Sequence, residues 1–245
     1  MLNNTKSPFD IHFRIICNHV LTLVSILLII ILFTQHCYSN PSGLPKMSIP
    51  DSVGVNIHFT GREDKQVSQI AAAGFKWIRM DYFWSNIETT PGQYNFKAYD
   101  ELVKSLSERG IRPLFILDYS NPLYDNNKPP TSVEGIKAFA KFAGISAAHF
   151  KGKGVLWEIW NEPNLGGFWP PQPNADDYVV LAKAVYTQIK KSDPKATVLG
   201  PALSSFDYIF LENAFKKGLL DAVDVVSLHA YGSPKPENAS VYFET

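Results

Sequence analysis

The feature that most constrains the fold is a regular alternation of two kinds of segment from residue 53 onward. Short apolar runs are typical of strands buried on both faces, and the longer runs between them have helical spacing. The alternation therefore predicts a parallel sheet covered by helices. The predicted strands cover residues 53–58, 75–79, 112–118, 155–160, 197–203 and 224–229. The predicted helices cover residues 64–73, 97–109, 132–150, 174–189 and 207–217.

The spacing of these units favours a barrel over an open, doubly wound sheet. Strand-then-helix units recur at intervals of about 25–45 residues, and no Gly-x-Gly-x-x-Gly run follows any predicted strand. We predict an α/β fold of the (β/α)8 TIM-barrel type. It is incomplete, because the sequence supplies about six of the eight units.

Polar and aromatic residues gather where the predicted strands end. Barrel enzymes build their sites from the carboxyl ends of the strands, so these residues are the first candidates for chemistry. The strand-end segments are Asn56-Ile57-His58, Arg79-Met80-Asp81, Asp118-Tyr119-Ser120, Asn161-Glu162 and His229-Ala230-Tyr231.

The fourth of these ends carries the most specific motif, Trp-Glu-Ile-Trp-Asn-Glu-Pro-Asn at residues 157–164. Pro163 cannot donate a ladder hydrogen bond, so the strand should stop there and place Glu162 at its tip. A carboxyl group held there between Trp160 and an amide side chain is a candidate general acid. The alternative is a loop glutamate that caps the next helix.

This run resembles the acid/base strand of retaining glycoside hydrolases of clan A, where Asn-Glu closes the fourth barrel strand. The resemblance covers roughly residues 53–245 and is closest to the family 39-like and cellulase-like members. It implies that Glu162 is the general acid/base and that Asn161 binds the sugar 2-hydroxyl.

The resemblance extends to two further strand ends. It implies that Arg79 supports the catalytic carboxylates, although a plain surface salt bridge is the alternative. It also implies that His229 and Tyr231 line the catalytic subsite and that Tyr231 orients the nucleophile. A satisfied core histidine is the alternative for His229.

Other residues are weaker candidates for contact with a sugar. His58 and Asp118 could bind hydroxyl groups or serve only in strand-end hydrogen bonding. Trp84 and Trp169 follow strands two and four and are candidate sugar platforms, with simple loop packing as the alternative. Glu158 could point into the barrel, where we expect it to be a structural ion-pair partner.

A retaining mechanism also needs a second carboxylate about 5–5.5 Å from the first, and in clan A it ends the seventh strand. After the sixth predicted strand the remaining carboxylates are Glu237 and Glu244, and neither ends a strand. We therefore expect no nucleophile within these 245 residues. Two functions remain open: a retaining hydrolase of β-linked poly- or oligosaccharides, or a non-catalytic glycan-binding or degenerate barrel protein.

The N-terminal region differs from the rest. Residues 20–33 form an uncharged apolar run behind Lys6 and Arg14. This run is short for a membrane span and suits the core of a secretory signal. We predict a signal peptide or signal anchor over residues 1–39, a linker over 40–52 and the N-terminal part of a catalytic domain over 53–245. The protein would be secreted or held in the cell envelope, with anchoring by residues 20–33 as the alternative.

The composition narrows the range of partners that the protein could bind. The formal net charge is +0, so nothing points to nucleic acid. The histidines, among them His58, His149 and His229, lack metal-ligand spacing on one element, and we expect no metal and no cofactor. The expected partner is a carbohydrate substrate, with membrane contact only through an uncleaved leader.

Overall fold

The computed structural model describes residues 52–231. The predicted leader, nearly all of the linker, Glu237 and Glu244 lie outside the described residues. The domain boundaries stay a prediction. Across residues 52–231 no helix combines the length and the apolar character that a membrane span requires.

Six strands form one sheet, and each is parallel to its neighbour in sequence order. This curled sheet, alternating with helices, is an incomplete (β/α)8 barrel, as predicted. The strands are β1 (Gly54–Asn56), β2 (Trp77–Phe83), β3 (Arg112–Asp118), β4 (Leu156–Ile159), β5 (Thr197–Ser204) and β6 (Val225–His229).

Helices connect the strands and cover the outer face of the sheet. Ser132 and Asn174 cap two of these helices with side-chain oxygens that accept hydrogen bonds from backbone N–H groups. The helices are α1 (Asp64–Ala72), α2 (Trp84–Ile87), α3 (Lys97–Ser107), α4 (Val133–His149), α5 (Ala175–Ser192) and α6 (Tyr208–Lys216).

One predicted helix cap and one predicted strand boundary differ from the structure. The residue type and position of Asp64 made it a plausible N-cap for the first helix, but Glu63 occupies the cap position and no side chain caps there. Asp64 instead accepts hydrogen bonds from Arg62 and Ser105. The second predicted strand was placed at 75–79, whereas β2 runs from Trp77 to Phe83. The polar residues of β2 interrupt its apolar pattern in the sequence because their side chains face the barrel interior.

The main core lies between the outer face of the sheet and the helices. Tyr82 is fully buried there, stacked on Phe115 and Phe142 with ring centroids 5.1 and 5.6 Å away. Trp157 meets the same ring edge-on at 5.5 Å. These aromatic contacts join four elements, β2, β3, β4 and α4, into one packed layer.

The inner face of the sheet changes character from bottom to top. At the amino ends of the strands, Trp77, Leu156 and Leu199 form a separate buried apolar cluster. Two residues further along β2 and β4, Arg79 and Glu158 form an ion pair. Side chains alternate between the two faces of a strand, so the next inward level is the strand tips. Apolar packing therefore supports a polar layer, and that layer supports the candidate site.

Candidate active site

Glu162 occupies an unusual backbone position just beyond β4. Its φ angle is 49°, in the left-handed region that residues with a side chain rarely adopt. Its backbone N–H donates to the Ala202 carbonyl on β5 at 3.0 Å. The side chain is 7% exposed. The turn after Trp160 thus fixes this carboxylate at the carboxyl end of the sheet, as predicted from Pro163.

Glu162 and His229 are brought together from β4 and β6. The Glu162 Oε1 atom lies 2.7 Å from His229 Nδ1, and both side chains are largely buried. An ionised Glu162 accepts a hydrogen bond from the Nδ1–H group of His229, whereas a protonated Glu162 donates one to Nδ1. Within residues 52–231 the His229 Nε2 atom is buried without a hydrogen-bond partner. The pair can therefore share a proton at the strand tips, with either the imidazole or the carboxyl group as the donor.

Arg79 contacts Glu158 and Asn161. Its Nε and Nη2 atoms both lie 2.7 Å from Glu158 Oε2, and Nη2 also donates to Asn161 Oδ1 at 3.0 Å. Glu158 is 2% exposed, so the pair is not on the surface. The structural role predicted for Glu158 is confirmed. Arg79 also contacts the side-chain amide of Asn161, the residue that precedes Glu162 in the chain.

The contact with Arg79 fixes which way the Asn161 amide points. A guanidinium group has only donors, so it must face the Asn161 oxygen, and the NH₂ group turns the other way. Asn161 is 9% exposed. Burial raises the pKa of Tyr119 well above its ordinary value, and the nearby Asn161 side chain offsets part of that shift. The amide therefore offers a hydrogen-bond donor on the side of Tyr119.

Tyr231 and His58 lie at the rim of the site. Tyr231 is 58% exposed, and its ring centroid is 5.5 Å from that of His229. The His58 side chain is 79% exposed, with Nδ1 3.9 Å from Asp81 Oδ2. Both residues stand at strand ends on the same face as Glu162, where the sequence placed them.

Asp118 does not reach a position where it could touch a sugar. It is 0% exposed, and neither carboxyl oxygen has a hydrogen-bond partner among the described residues. Burial, followed by the negative charge of Asp81, raises the pKa of Asp118 well above its usual value. The expected sugar contact is corrected: Asp118 is a buried carboxyl group, and its raised pKa favours the protonated form.

The two predicted tryptophan platforms are also corrected. Trp84 is 0% exposed and donates from Nε1 to the buried Glu88 carboxylate at 2.6 Å. Trp169 is 2% exposed and packs edge-on against Trp160 and Tyr178. Neither indole has a free face for a sugar ring. Both rings follow strand ends, but helix and loop packing covers them.

Sequence reasoning missed the aromatic pair that does border the site. Tyr119 and Phe168 are half-buried and stacked, with ring centroids 5.7 Å apart and planes inclined by 20°. Trp160 packs edge-on beneath Tyr119 at 5.5 Å. One signal was available, because Phe168 lies in the Gly-Gly-Phe-Trp-Pro-Pro loop after β4. This stack stands beside Asn161, where a sugar face would pack.

Metal ligation finds no support in the part of the chain that the structure describes. Residues 52–231 contain no cluster of three or more His, Cys, Asp or Glu side chains arranged to hold a metal ion. The polar groups at the site are instead paired with one another, as carboxylate–imidazole and guanidinium–amide contacts.

Comparison with known proteins assigns the chain to a family. The family model described as Cellulase (glycosyl hydrolase family 5) matches residues 39–241. The chain belongs to this cellulase family. The beta-xylosidase of Geobacillus stearothermophilus is 30% identical over 166 residues, which are 58% of this chain and 32% of that relative. The 6-phospho-beta-glucosidase of Dickeya chrysanthemi is 26% identical over 150 residues, 56% of this chain and 32% of the relative.

Solved structures of other glycoside hydrolases are similar to this chain. A family 39 glycoside hydrolase from Bacteroides cellulosilyticus WH2 superposes with a TM-score of 0.62 at 28% identity, over 74% of this chain and 39% of that one. A monomeric beta-xylosidase from Caulobacter crescentus CB15 gives 0.60 at 25% identity, over 74% and 42%. The chain spans about a third of the length of the curated relatives named above.

Proposed function

We propose that the protein is a retaining glycosidase of β-linked oligo- or polysaccharides, with Glu162 as the general acid/base. The observation that carries this proposal is the buried contact of 2.7 Å between Glu162 and His229 at the strand tips. A carboxyl group in such contact can give a proton to a leaving oxygen and later take one from water. Asn161, beside it, offers an amide donor for a sugar hydroxyl.

The stacked Tyr119 and Phe168 rings support a carbohydrate substrate. Sugar rings present apolar C–H faces to aromatic side chains, while their hydroxyl groups need polar partners. Since one relative is named a beta-xylosidase, aryl β-xylosides are the first substrates to test, followed by aryl β-glucosides.

The nucleophile is proposed to lie outside residues 52–231. Among the inward-facing carboxylates near Glu162, Glu158 is held by Arg79. Asp118 is buried, and its raised pKa disfavours the ionised form that attack on a sugar carbon requires. A retaining mechanism needs an ionised, accessible carboxylate opposite the acid/base. Residues 52–231 are therefore expected to supply the acid/base and glycan-binding groups, and another part of the protein the nucleophile.

The decisive experiment is Glu162→Gln in the full-length protein. Turnover should fall most for substrates with poor leaving groups, because protonation of the leaving oxygen is lost. Activated aryl glycosides should still form the glycosyl-enzyme, and azide should speed its breakdown to a β-glycosyl azide. Glu134→Gln, on the exposed side of α4, is the matched control. Equal losses on both substrate types without azide rescue would remove Glu162 from this role. Glycan binding without any turnover in the parent protein would favour the non-catalytic alternative.

A further inference from the structure

Glu162 and His229 are not on adjacent strands, because β5 lies between β4 and β6. Their contact therefore depends on how the loop after β4 and the end of β6 are each attached to β5. On the β6 side, the Ser205 backbone N–H donates to the His229 carbonyl at 2.8 Å. On the β4 side, the Glu162 backbone N–H donates to the Ala202 carbonyl at 3.0 Å, and the side chain of Asn164 makes a second attachment.

Asn164 pairs with both backbone groups of one residue on β5. Its Oδ1 accepts from the Ser204 N–H at 2.9 Å, and its Nδ2 donates to the Ser204 carbonyl at 3.0 Å. The same Nδ2 lies 3.2 Å from Asp207 Oδ2, at the N-cap of α6. An amide is the side chain that offers a donor and an acceptor side by side, so aspartate, leucine or alanine cannot reproduce this pairing.

The pairing of Asn164 with Ser204 holds the loop where Glu162 has backbone angles that it would not otherwise prefer. A left-handed φ at a residue with a side chain costs free energy and persists only where the surroundings impose it. Ala202, whose carbonyl receives the Glu162 N–H, also has a positive φ, of 52°. Two unfavourable conformations thus face each other across β4 and β5, and Asn164 fixes the loop two residues beyond Glu162.

We infer that Asn164 is a positioning residue that holds Glu162 against His229 by pairing with Ser204. The inference rests on the proposed acid/base role of Glu162, and it assigns no contact with substrate to Asn164. Without the amide, the loop is free to relax toward ordinary backbone angles and the carboxylate leaves its hydrogen-bonding distance from Nδ1. Small displacements of a proton donor are costly, since about 1 Å can reduce a rate by roughly 100-fold.

The test is Asn164→Ala in the full-length protein, beside Asn174→Ala as the matched control. Asn174 caps α5 through Asp176 and Asp177, so its loss also weakens the fold, but away from the site. We expect Asn164→Ala to lower kcat/KM roughly 10- to 100-fold for poor leaving groups and far less for activated ones. Asn174→Ala should lower the melting temperature and leave this leaving-group dependence unchanged.

A second readout does not require turnover. The hydrogen-bonded imidazole proton of His229 should give a downfield proton resonance in a His229-labelled sample, and Asn164→Ala should remove it while Asn174→Ala retains it. Retention of the resonance in folded Asn164→Ala, or an equal loss of rate on all substrates, would overturn the inference. If Glu162→Gln shows leaving-group selectivity and Asn164→Ala does not, only the role of Asn164 falls. If neither shows it, the proposed function falls as well.

Discussion

Arg79 donates from Nε to Glu158 Oε2 at 2.7 Å, and its Nη2 atom lies at the same distance from that oxygen. Because Arg79 also holds the Asn161 amide, the orientation of a candidate sugar-binding group depends on a carboxylate that does not touch the sugar. A buried pair of this kind is not strong evidence for stability, but breaking it is costly, since one charge is left without its partner.

Glu158→Ala should therefore destabilise the fold by about 3–5 kcal/mol. Urea unfolding followed by tryptophan fluorescence measures the change. Glu212→Ala removes an exposed partner of Lys216 and should have a much smaller effect on stability, because solvent screens this pair. Equal effects of the two substitutions would mean that the Arg79 charge is compensated in another way.

Gly200→Ala should destabilise the protein by about 1–3 kcal/mol, as overpacking does. An added Cβ would meet the Tyr178 hydroxyl oxygen at 2.6 Å, and this hydroxyl donates to the Ile159 carbonyl at the end of β4. Gly166→Ala is the control, because its Cβ meets nothing within 4 Å. Thermal melts of both variants decide the matter, and a Gly200→Ala protein as stable as Gly166→Ala would contradict the packing described.

Asp118→Asn should gain stability relative to the parent as pH rises. Because the pKa of Asp118 is raised in the folded state, over a range above about pH 4 the folded state holds a proton that the unfolded state has lost, so folding binds a proton. The parent therefore loses stability with increasing pH, by at most about 1.4 kcal/mol per pH unit from this group. The charges facing Asp118 are those of Asp81, Arg79 and Glu158.

The measurement for Asp118→Asn is the free energy of unfolding between pH 4 and pH 7. Asp221→Asn, at an exposed position, controls for the loss of one negative charge. A constant difference between parent and Asp118→Asn across this range would show that Asp118 ionises normally in the folded protein.

Trp84→Phe should affect mainly the stability of the protein, whereas Phe168→Ala should affect mainly KM. The first leaves the buried Glu88 carboxylate short of one donor, so it should cost about 1–3 kcal/mol of stability with KM unchanged. The second removes one ring of the half-buried stack with Tyr119 and should raise KM with a smaller loss of stability. Initial rates and thermal melts on both variants separate the two. A raised KM in folded Trp84→Phe would restore Trp84 as a sugar platform.

The order of the strands was predictable because apolar runs and helical spacing are local signals. Glu162 was predictable for the same reason, since Pro163 ends a strand beside it. The burial of Trp84 was not, because it depends on Phe139 from α4, whose ring meets the indole edge-on at 5.2 Å.

The role of Asn164 was equally hidden from the sequence. Its partner Ser204 is 40 residues away, and no periodicity marks a bond between a side chain and a distant backbone. Asp118 illustrates the same limit: the residue type suggested a polar contact, whereas the number of neighbours that cover it is a property of the assembled sheet.

The sequential pairing of the strands also has a consequence in time. During synthesis Arg79 can meet Glu158 as soon as β4 has emerged, but Glu162 must wait for His229, which follows 67 residues later. At about 5–20 residues per second, translation of that interval takes about 3–13 seconds. Throughout it the newest strand presents unpaired backbone groups to its surroundings. The nascent chain can thus form the Arg79–Glu158 ion pair well before it can hold Glu162 against His229. A chaperone would be of most use during this interval.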